Sequence, residues 1–380
     1  MRRLLLLVGA IVFVDTMFFA ALTPLLPEYA DRLELSKTGA GILSGAYAAG
    51  ALVGAIPGGI AAARWGVRPA VLLGLAGMSA TTFAFGIADN VVVLDAARFL
   101  QGLASAFSWT GGLAWLVAAA PPARRGELIG AAMGTAIAGA LFGPVLGGAA
   151  SVVGTGWAFG VVAVASVGLA VWAATTPAFP PREPQPLSAL FGALRDGGVA
   201  AGAWLVLLPA LLFAVVSVLV PLRLDELGFG AIAIGATFLV SAALEATVAP
   251  VVGRVSDRIG RLTPLRAALL ASAVVTATLP WLEHGWLVAV FVVLGAMSFG
   301  SFWAPGMALL SESAEARGLE HGYTFALVSL AWAPGAAGGA AAGGAIAHAT
   351  SDAVPFLVLA AASLVTLAAL GRLRTAPAPA

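Results

Sequence analysis

The sequence reads GIAAARWGVR at residues 59–68 and GRVSDRIGR at residues 253–261, each time at the end of an apolar span. The two strings share two glycines and an arginine at an offset of 194 positions, so that Gly59, Arg64 and Gly66 match Gly253, Arg258 and Gly260. A second set repeats at an offset of 192, in which Arg125, Gly126, Gly130, Gly143 and Gly147 match Arg317, Gly318, Gly322, Gly335 and Gly339. The two nearly equal offsets indicate two copies of one unit.

The composition excludes a soluble protein. The chain is 61% hydrophobic and 10% charged, with a mean hydropathy of +1.01. Its long uncharged stretches predict membrane helices, each of which needs about 20 apolar residues. A net charge of +1 without a basic run argues against a nucleic-acid partner. The chain has no cysteine, and its three histidines are far apart in sequence, so we expect no metal site.

Twelve apolar spans are predicted, at roughly 4–27, 39–63, 69–88, 91–119, 127–150, 154–176, 199–222, 231–253, 263–281, 285–311, 321–347 and 353–371. The piece between the sixth and seventh spans contains five prolines, which oppose helix continuation. We therefore predict an all-α membrane protein with two pseudo-symmetric six-helix bundles, at 1–176 and 199–380, joined by a cytoplasmic linker at 177–198. Asp15 interrupts the first apolar run, so an uncleaved helix is expected there rather than a signal peptide.

The charges predict the orientation in the membrane. If the N-terminus is cytoplasmic, fifteen of the 19 Lys and Arg residues fall on cytoplasmic loops and ends, and only Arg32, Lys37 and Arg223 fall outside. This asymmetry follows the positive-inside rule with both termini in the cytoplasm. Trp157, Trp281 and Trp286 fall at the outer span ends, where indole rings prefer to lie. We expect an integral protein of the inner (cytoplasmic) membrane.

Three ionisable residues lie well inside the predicted spans, namely Asp15, Arg98 and Glu245. A charge at mid-bilayer costs roughly 3 kcal/mol or more unless it is paired or hydrated. A desolvated carboxyl can bind and release a proton, so Asp15 and Glu245 are candidate proton sites. Arg98 stays protonated and would relay or neutralise charge. The alternatives are a structural Asp15–Arg98 ion pair, and a Glu245 that packs by hydrogen bond or reaches the cytoplasmic edge.

Glycine, proline and aromatic residues mark helix contacts and a possible cavity. Gly139, Gly143 and Gly147 form a flat face for close helix approach, and Pro144 is expected to bend that helix. Pro24 and Pro27 are expected to bend or end the first span, and the sequence Trp332-Ala333-Pro334-Gly335 is expected to break the eleventh. Aromatic residues in corresponding places could line an apolar cavity, although lipid contact or packing is the alternative for each: Phe18, Phe19, Phe107, Trp109, Phe299, Phe302, Trp303 and Trp332.

Together these residues resemble the major facilitator superfamily across essentially the whole chain. The two loop strings are similar to its motif between helices 2 and 3 and the echo between helices 8 and 9. The sequence from Arg98 to Gly102, which includes Gln101, is similar to the helix 4 motif associated with proton coupling. The run from Gly139 to Gly148 resembles the antiporter motif of helix 5. Asp15 with the two following prolines resembles helix 1 of the twelve-helix drug:proton antiporters.

The first loop motif departs from the family pattern. Ala63 stands where the family has an acidic residue that helps to close the cytoplasmic face, whereas the second copy keeps Asp257. We hypothesise that Asp257 closes this face against the start of the fifth helix, near Arg124 and Arg125. An anion is favoured at a helix N-terminus, and the two arginines would add to the attraction.

The resemblance and the buried charges together predict a proton-coupled efflux antiporter of small amphipathic or cationic compounds that works by alternating access. We expect a monomer in the lipid bilayer, with a small-molecule substrate, protons as coupling ions and no other cofactor. A permease for a sugar or other neutral metabolite is the alternative, although few mid-span amides and hydroxyls are present beyond Gln101, Thr16 and Ser108. A membrane enzyme or receptor is disfavoured, because no nucleophile, histidine or metal cluster is visible at one depth.

Overall fold

The computed structural model describes residues 1–121, 124–178, 187–259, 262–319 and 321–372. Within this part of the chain the regular structure is helical and contains no strand. The helices are α1 (Arg2–Arg32), α2 (Lys37–Arg64), α3 (Val67–Ile87), α4 (Val91–Ala119), α5 (Arg125–Val153), α6 (Thr155–Ala174), α7 (Leu187–Ala193), α8 (Gly197–Glu226), α9 (Ala231–Ile259), α10 (Leu262–Thr278), α11 (Gly285–Ala316), α12 (His321–Ala349) and α13 (Ala353–Arg372).

Most of these helices have the length and apolarity of membrane spans. In the described residues, eleven helices are long and apolar enough to cross a membrane. The remaining long helix, α12, has 29 residues and is rich in glycine and alanine, which are less hydrophobic than leucine or valine. It packs closely against α2 and α8. The predicted all-α membrane architecture is confirmed.

The two halves repeat one packing scheme. The pairs α1–α5, α2–α4 and α3–α6 of the first half correspond to α8–α12, α9–α11 and α10–α13 of the second. An arginine near the start of α3 and another near the start of α10 close the last pair in each half. Arg68 donates to the Thr176 carbonyl at 2.8 Å, and Arg266 donates to the Leu370 carbonyl at 2.7 Å. This correspondence agrees with the duplication that the sequence offsets predict.

The predicted glycine face of α5 packs against α1. A Cβ atom added to Gly143 would lie 2.7 Å from the Met17 carbonyl oxygen, and one added to Gly147 would lie 2.5 Å from Pro24. Gly139 likewise approaches the Phe13 carbonyl and leaves no room for a side chain. Close backbone approach of this kind gains van der Waals contact where the hydrophobic effect cannot hold helices together.

The structure contradicts a helix end at Pro24 and Pro27 and the predicted break at Pro334, and a bend in α1 stays a prediction. α1 continues through Pro24 and Pro27 to Arg32, and α12 continues through Pro334 to Ala349. Each proline removes one backbone donor, but neighbouring helices in a membrane bundle tolerate this loss and keep the helix continuous. Pro24 packs against the α5 glycine face, which supports α1 at this point.

The halves contact one another at one end of the bundle. We call the end of the bundle at which α1 begins (Arg2) and α13 ends (Arg372) the terminal face, and the opposite end the far face. Gly41 of α2 packs on Ala340 and Gly344 of α12, and Gly235 of α9 packs on the Pro144 carbonyl of α5. All of these residues lie in the far half of their helices.

A partly exposed ion pair spans the same junction. Lys37 at the start of α2 bonds Asp352, in the turn before α13, at 2.6 Å. Because these residues belong to different halves, the ion pair joins the bundles on the far face.

Indole rings surround the far face. Trp157, Trp281 and Trp286 are 79%, 65% and 62% exposed, at the start of α6, the end of the turn after α10 and the start of α11. Exposed indoles at one level are typical of a membrane interface. In the predicted linker at 177–198, residues Leu187–Ala193 form the short helix α7.

Candidate functional site

Asp15 lies at the middle of α1 with 2% of its surface exposed. Three side chains from α2 and α4 hold its carboxyl group. The Tyr47 hydroxyl lies 2.9 Å from both carboxyl oxygens, the Ser105 hydroxyl lies 2.8 Å from Oδ2, and the Trp109 indole donates to Oδ2 at 2.5 Å. The carboxyl group therefore has polar partners at a depth where water would otherwise be needed.

This cluster can hold Asp15 in either protonation state. Trp109 Nε1 can only donate, whereas the Tyr47 and Ser105 hydroxyls can donate or accept. When Asp15 is ionised, all three groups donate to it. When Asp15 is protonated, it can donate to Tyr47, which in turn donates to Ser105 over their 2.7 Å contact. Rotation of the Tyr47 hydroxyl thus accommodates one proton without moving a helix.

Arg98 lies beside this cluster in an aromatic cage. It is 1% exposed, and its guanidinium carbon lies 5.1 Å from the Tyr47 ring centroid and 5.5 Å from that of Phe18. The Phe19 and Phe85 rings lie at 5.8 Å. Cation–π attraction of this kind strengthens where the cation is desolvated.

The polar bonds of Arg98 are to neutral groups. Nη1 donates to Gln101 Oε1 at 3.2 Å, and Nη2 donates to the Phe19 carbonyl at 3.3 Å. Gln101 in turn donates to Thr82 of α3 at 2.8 Å. These contacts fix Arg98 between α1, α3 and α4.

Among the described residues, Arg98 and Asp15 form no direct ion pair. Tyr47 stands between them, because its ring faces Arg98 and its hydroxyl bonds Asp15. Phe19 extends this arrangement to the other half. Its ring packs on Tyr47 at 4.9 Å and on Trp332 of α12 at 5.7 Å. The charged centre of the first half is thus in contact with the second half through two aromatic rings.

Glu245 is the residue of the second half that the sequence predicts as an ionisable group well inside a span. Its carboxyl group packs over Gly300 of α11, where an added Cβ would overlap it. The absence of a side chain at Gly300 therefore makes the space that the carboxyl group occupies. Glu245 lies in another half from Asp15, so the structure does not bring these two acids into one cluster.

The predicted cavity residues have different surroundings. Trp109, Phe19 and Trp332 are the members that adjoin the Asp15 cluster or the other half. Phe18 packs edge-on against Phe85 and Phe159, and Phe299 packs against Phe213. Phe302 is fully buried, Phe107 packs near Ala61, Ala62 and Ala70, and Trp303 packs beside the core around Leu310. Cavity lining stays a prediction for these residues.

The first loop motif is described in full. Arg64 is exposed at the end of α2, and Gly59 leaves its nearest neighbour, Thr110, at 3.8 Å from an added Cβ. Gly66 immediately precedes α3 and has a φ of 98°, a backbone conformation that glycine adopts without strain.

The second loop motif is described only in part. Gly260 lies outside the described residues, and for Gly253, Asp257 and Arg258 only the backbone of α9 is described. The closing role of Asp257 stays a prediction.

Sequence reasoning missed Tyr47, Ser105 and Thr82. A signal for Ser105 was available, because it lies seven residues after Arg98 and four before Trp109, which places all three on one face of a helix. Tyr47 is one of only three tyrosines in the chain and falls inside an apolar span. A hydroxyl at such a depth needs a buried partner.

Comparison with known sequences places this architecture in a family. The sequence profile of the Major Facilitator Superfamily matches residues 8–333. The "MFS-type transporter ppzB" of Metarhizium rileyi is 32% identical over 36% of this chain and 29% of its own length. The "Probable vesicular acetylcholine transporter-B" of Danio rerio is 34% identical over 39% of this chain and 32% of its own. The "Tetracenomycin C resistance and export protein" of Streptomyces glaucescens is 30% identical over 32% and 23%. The matches thus span about a third or less of these relatives.

Solved structures agree over nearly the whole chain. A bacterial homologue of the human lysosomal transporter Spinster, in an inward-facing and unoccupied conformation, aligns with a TM-score of 0.79 at 15% identity and covers 99% of this chain and 98% of its own. A D-xylose-proton symporter aligns with a TM-score of 0.75 at 15% identity over 96% of each chain. At this identity the likeness concerns the fold. Since the profile covers most of the chain and the fold agrees throughout, the chain is an integral membrane protein of the Major Facilitator Superfamily.

Proposed function

We propose that the chain is a proton-coupled exporter of small amphipathic or cationic compounds that works by alternating access. The observation that carries this proposal is the Asp15 cluster. A carboxyl group buried inside a membrane helix has hydroxyl partners that suit both its ionised and its protonated form. Such a group can take a proton from one side and release it to the other, with protons as the coupling ion and no further cofactor.

The contact between the halves supports an inward-facing state. If both termini are cytoplasmic, as the positive charges predict, the far face is the outer face. The glycine contacts of α2 with α12 and of α5 with α9 then close the outer side. Substrate would reach the centre from the cytoplasm, in a monomer embedded in the inner membrane.

Coupling requires that proton and substrate compete for the same group. A cation bound near Asp15 would favour its ionised form, whereas a proton on Asp15 would weaken the attraction. We therefore propose that substrate binding from the cytoplasm expels the proton, and that protonation from outside expels the substrate. The two ligands shift the conformational equilibrium only as far as their affinities for the two states differ.

The substrate would bind where the charged centre meets the second half. Trp109 is half-buried and touches Asp15, while Phe19 and Trp332 contact each other across the halves. Aromatic surfaces beside a carboxylate suit an amphipathic cation. Two relatives support parts of this proposal by their names, since one is named for export of tetracenomycin C and the other for transport of acetylcholine, which is a cation. Glu245 would supply a second carboxylate in the other half.

The test is proton release from the purified protein in weakly buffered detergent solution. We expect tetraphenylphosphonium to release protons from the wild type, and we expect Asp15→Asn to abolish the release. Glu245→Gln shows whether the second carboxylate contributes. D-xylose serves as the neutral comparison and should release none. No release by tetraphenylphosphonium, together with proton uptake on addition of D-xylose, would replace the proposal with a proton-coupled sugar permease, and release that persists in Asp15→Asn would refute the role of Asp15.

A further inference from the structure

Two buried atoms without a hydrogen-bond partner lie one turn apart on α4. They are Oδ1 of Asp95 and Nε of Arg98, and neither has a partner in the described part of the chain. A buried acceptor and a buried donor that both lack partners are unfavourable, and the two together form a complementary pair. Asp95 is half-buried and lies one turn nearer the far face than Arg98.

The present contacts of Arg98 leave it able to change partners. Its two hydrogen bonds measure 3.2 and 3.3 Å and go to a neutral amide and a carbonyl. Charge-assisted bonds to a carboxylate are shorter and stronger, about 2.7–2.9 Å. Residues three positions apart on a helix are neighbours, so side-chain rotation alone can bring the guanidinium to Asp95.

We propose that Asp95 is a second proton-binding residue that competes with the Asp15 side of the site for Arg98. The proposal rests on the proton coupling proposed above. In one state Asp95 is protonated, Arg98 keeps its bonds to Phe19 and Gln101, and Asp15 is ionised. In the other state Asp95 is ionised and pairs with Arg98, and Asp15 is protonated. Conversion of the first state into the second moves one proton from Asp95 to Asp15 and leaves the total charge unchanged.

The neighbouring charged groups already have other partners or lie at the helix ends. Arg32 of α1 stacks on Tyr29 and donates to the Ala88 carbonyl, and Lys37 of α2 pairs with Asp352. The other ionisable groups on the helices that pack against α4 are Arg2, Arg3, Asp15, Glu28, Tyr29 and Asp31 of α1, Tyr47 and Arg64 of α2, Arg68 of α3, Arg125 and Glu127 of α5, and His321, Tyr323 and His348 of α12. Of these, Arg64, Arg68, Arg125, Glu127 and His321 belong to the terminal ends of their helices, whereas Asp95 lies near the far end of α4. Asp95 is therefore placed to receive protons from the far face.

Infrared difference spectroscopy tests this proposal without a substrate. The protein in lipid nanodiscs is titrated with acid, and the C=O bands of protonated carboxyl groups are followed. We expect Asp95→Asn to remove one band and Asp15→Asn to remove another. In Asp95→Asn, Arg98 stays with the Asp15 side, so the Asp15 band should appear about one pH unit lower than in the wild type. Asp89→Asn, at an exposed acid before α4, is the matched control and should leave both bands unchanged.

Unchanged bands in Asp95→Asn would overturn the proposal, as would loss of the Asp95 band with no movement of the Asp15 band. If Asp95→Asn does not fold, Asp95→Glu provides the test, because a longer acid should alter one band and shift the other. An Asp95→Glu spectrum identical to that of the wild type would equally refute it. These outcomes do not depend on tetraphenylphosphonium binding, so a failure of the export proposal remains distinguishable from a failure here.

Discussion

The junction of α2 and α12 allows the conformational equilibrium to be shifted by one methyl group. In Gly344→Ala, the new Cβ would lie 3.2 Å from the Gly41 Cα and would overlap the Lys37 carbonyl oxygen. Both neighbours are backbone atoms, so they cannot yield by changing a rotamer and the helices must separate. Overpacking of this kind costs about 1–3 kcal/mol.

That cost falls on the state in which the far face is closed. If the halves separate there during transport, the substitution shifts the equilibrium toward the open state by about 5- to 150-fold. Gly338→Ala on the same helix is the matched control, because an added Cβ at Gly338 meets no atom within 4 Å. Alanine should be tolerated there, since it is a better helix former than glycine.

The native chain has no cysteine, so two labels can be introduced without background. Asp89 and Glu283 are exposed, lie on the far face and belong to different halves. Electron-spin distance measurements between labels at these positions should show a longer distance gaining population in Gly344→Ala and not in Gly338→Ala. An unchanged distance distribution in a folded Gly344→Ala protein would refute the inference that this contact belongs to one conformational state.

Three further predictions concern single side chains. Tyr47→Phe removes a hydrogen bond to the ionised form of Asp15 worth roughly 1.5–3 kcal/mol. Because the ionised form is then less favourable, substrate-induced proton release at neutral pH should fall about tenfold or more; undiminished release would exclude the hydroxyl from coupling. Gly300→Ala should displace the carboxyl group of Glu245 and change substrate-induced proton release in the same way as Glu245→Gln, and a Gly300→Ala protein that behaves as the wild type while Glu245→Gln does not would show that this packing is unimportant. The backbone amide of Val199, the Arg317 side chain and the backbone amide of Gly198 lower the pKa of Asp196, so its stabilising effect is present at neutral pH and is lost as acid protonates it; Asp196→Ala should lower the melting temperature more at pH 7 than near pH 3, and an equal loss at both would contradict this assignment.

The sequence predicts the architecture well because its clearest patterns are ones that membrane helices require. Long apolar runs, the repeated strings and the glycine spacing in α5 all correspond to features of the structure. The errors concern proline. From one helix alone, Pro27 and Pro334 are expected to end or interrupt the chain's helical path, whereas packing in the bundle maintains α1 and α12 through them. Such support comes from neighbouring helices and is not visible in a local pattern.

The functional centre is predictable only in its charges. Asp15 and Arg98 stand out because charges are expensive in a bilayer. The spatial relation between Asp15 and Arg98 is not predictable from the sequence. A direct ion pair is the simplest expectation, whereas the structure places Tyr47 between the two side chains. Tyr47 and Ser105 are ordinary residue types whose role depends on which helices meet. Asp95 gives no comparable signal in the sequence, because it lies near a span end, where an acid is common.

The junction between the halves also has a thermal consequence. It is formed largely by glycine, alanine and backbone carbonyl groups, as at Gly41, Ala337 and Gly344. Glycine and alanine have no side-chain rotamers to lose when two surfaces meet. Closing the far face therefore immobilises few side chains, and the entropy change of closure should be small. The enthalpy change sets how the ratio of open to closed molecules responds to temperature. Where the two states have similar free energies, a small entropy change requires an equally small enthalpy change. Cooling should then alter the ratio only slightly, and both states would stay populated over a wide range of temperatures.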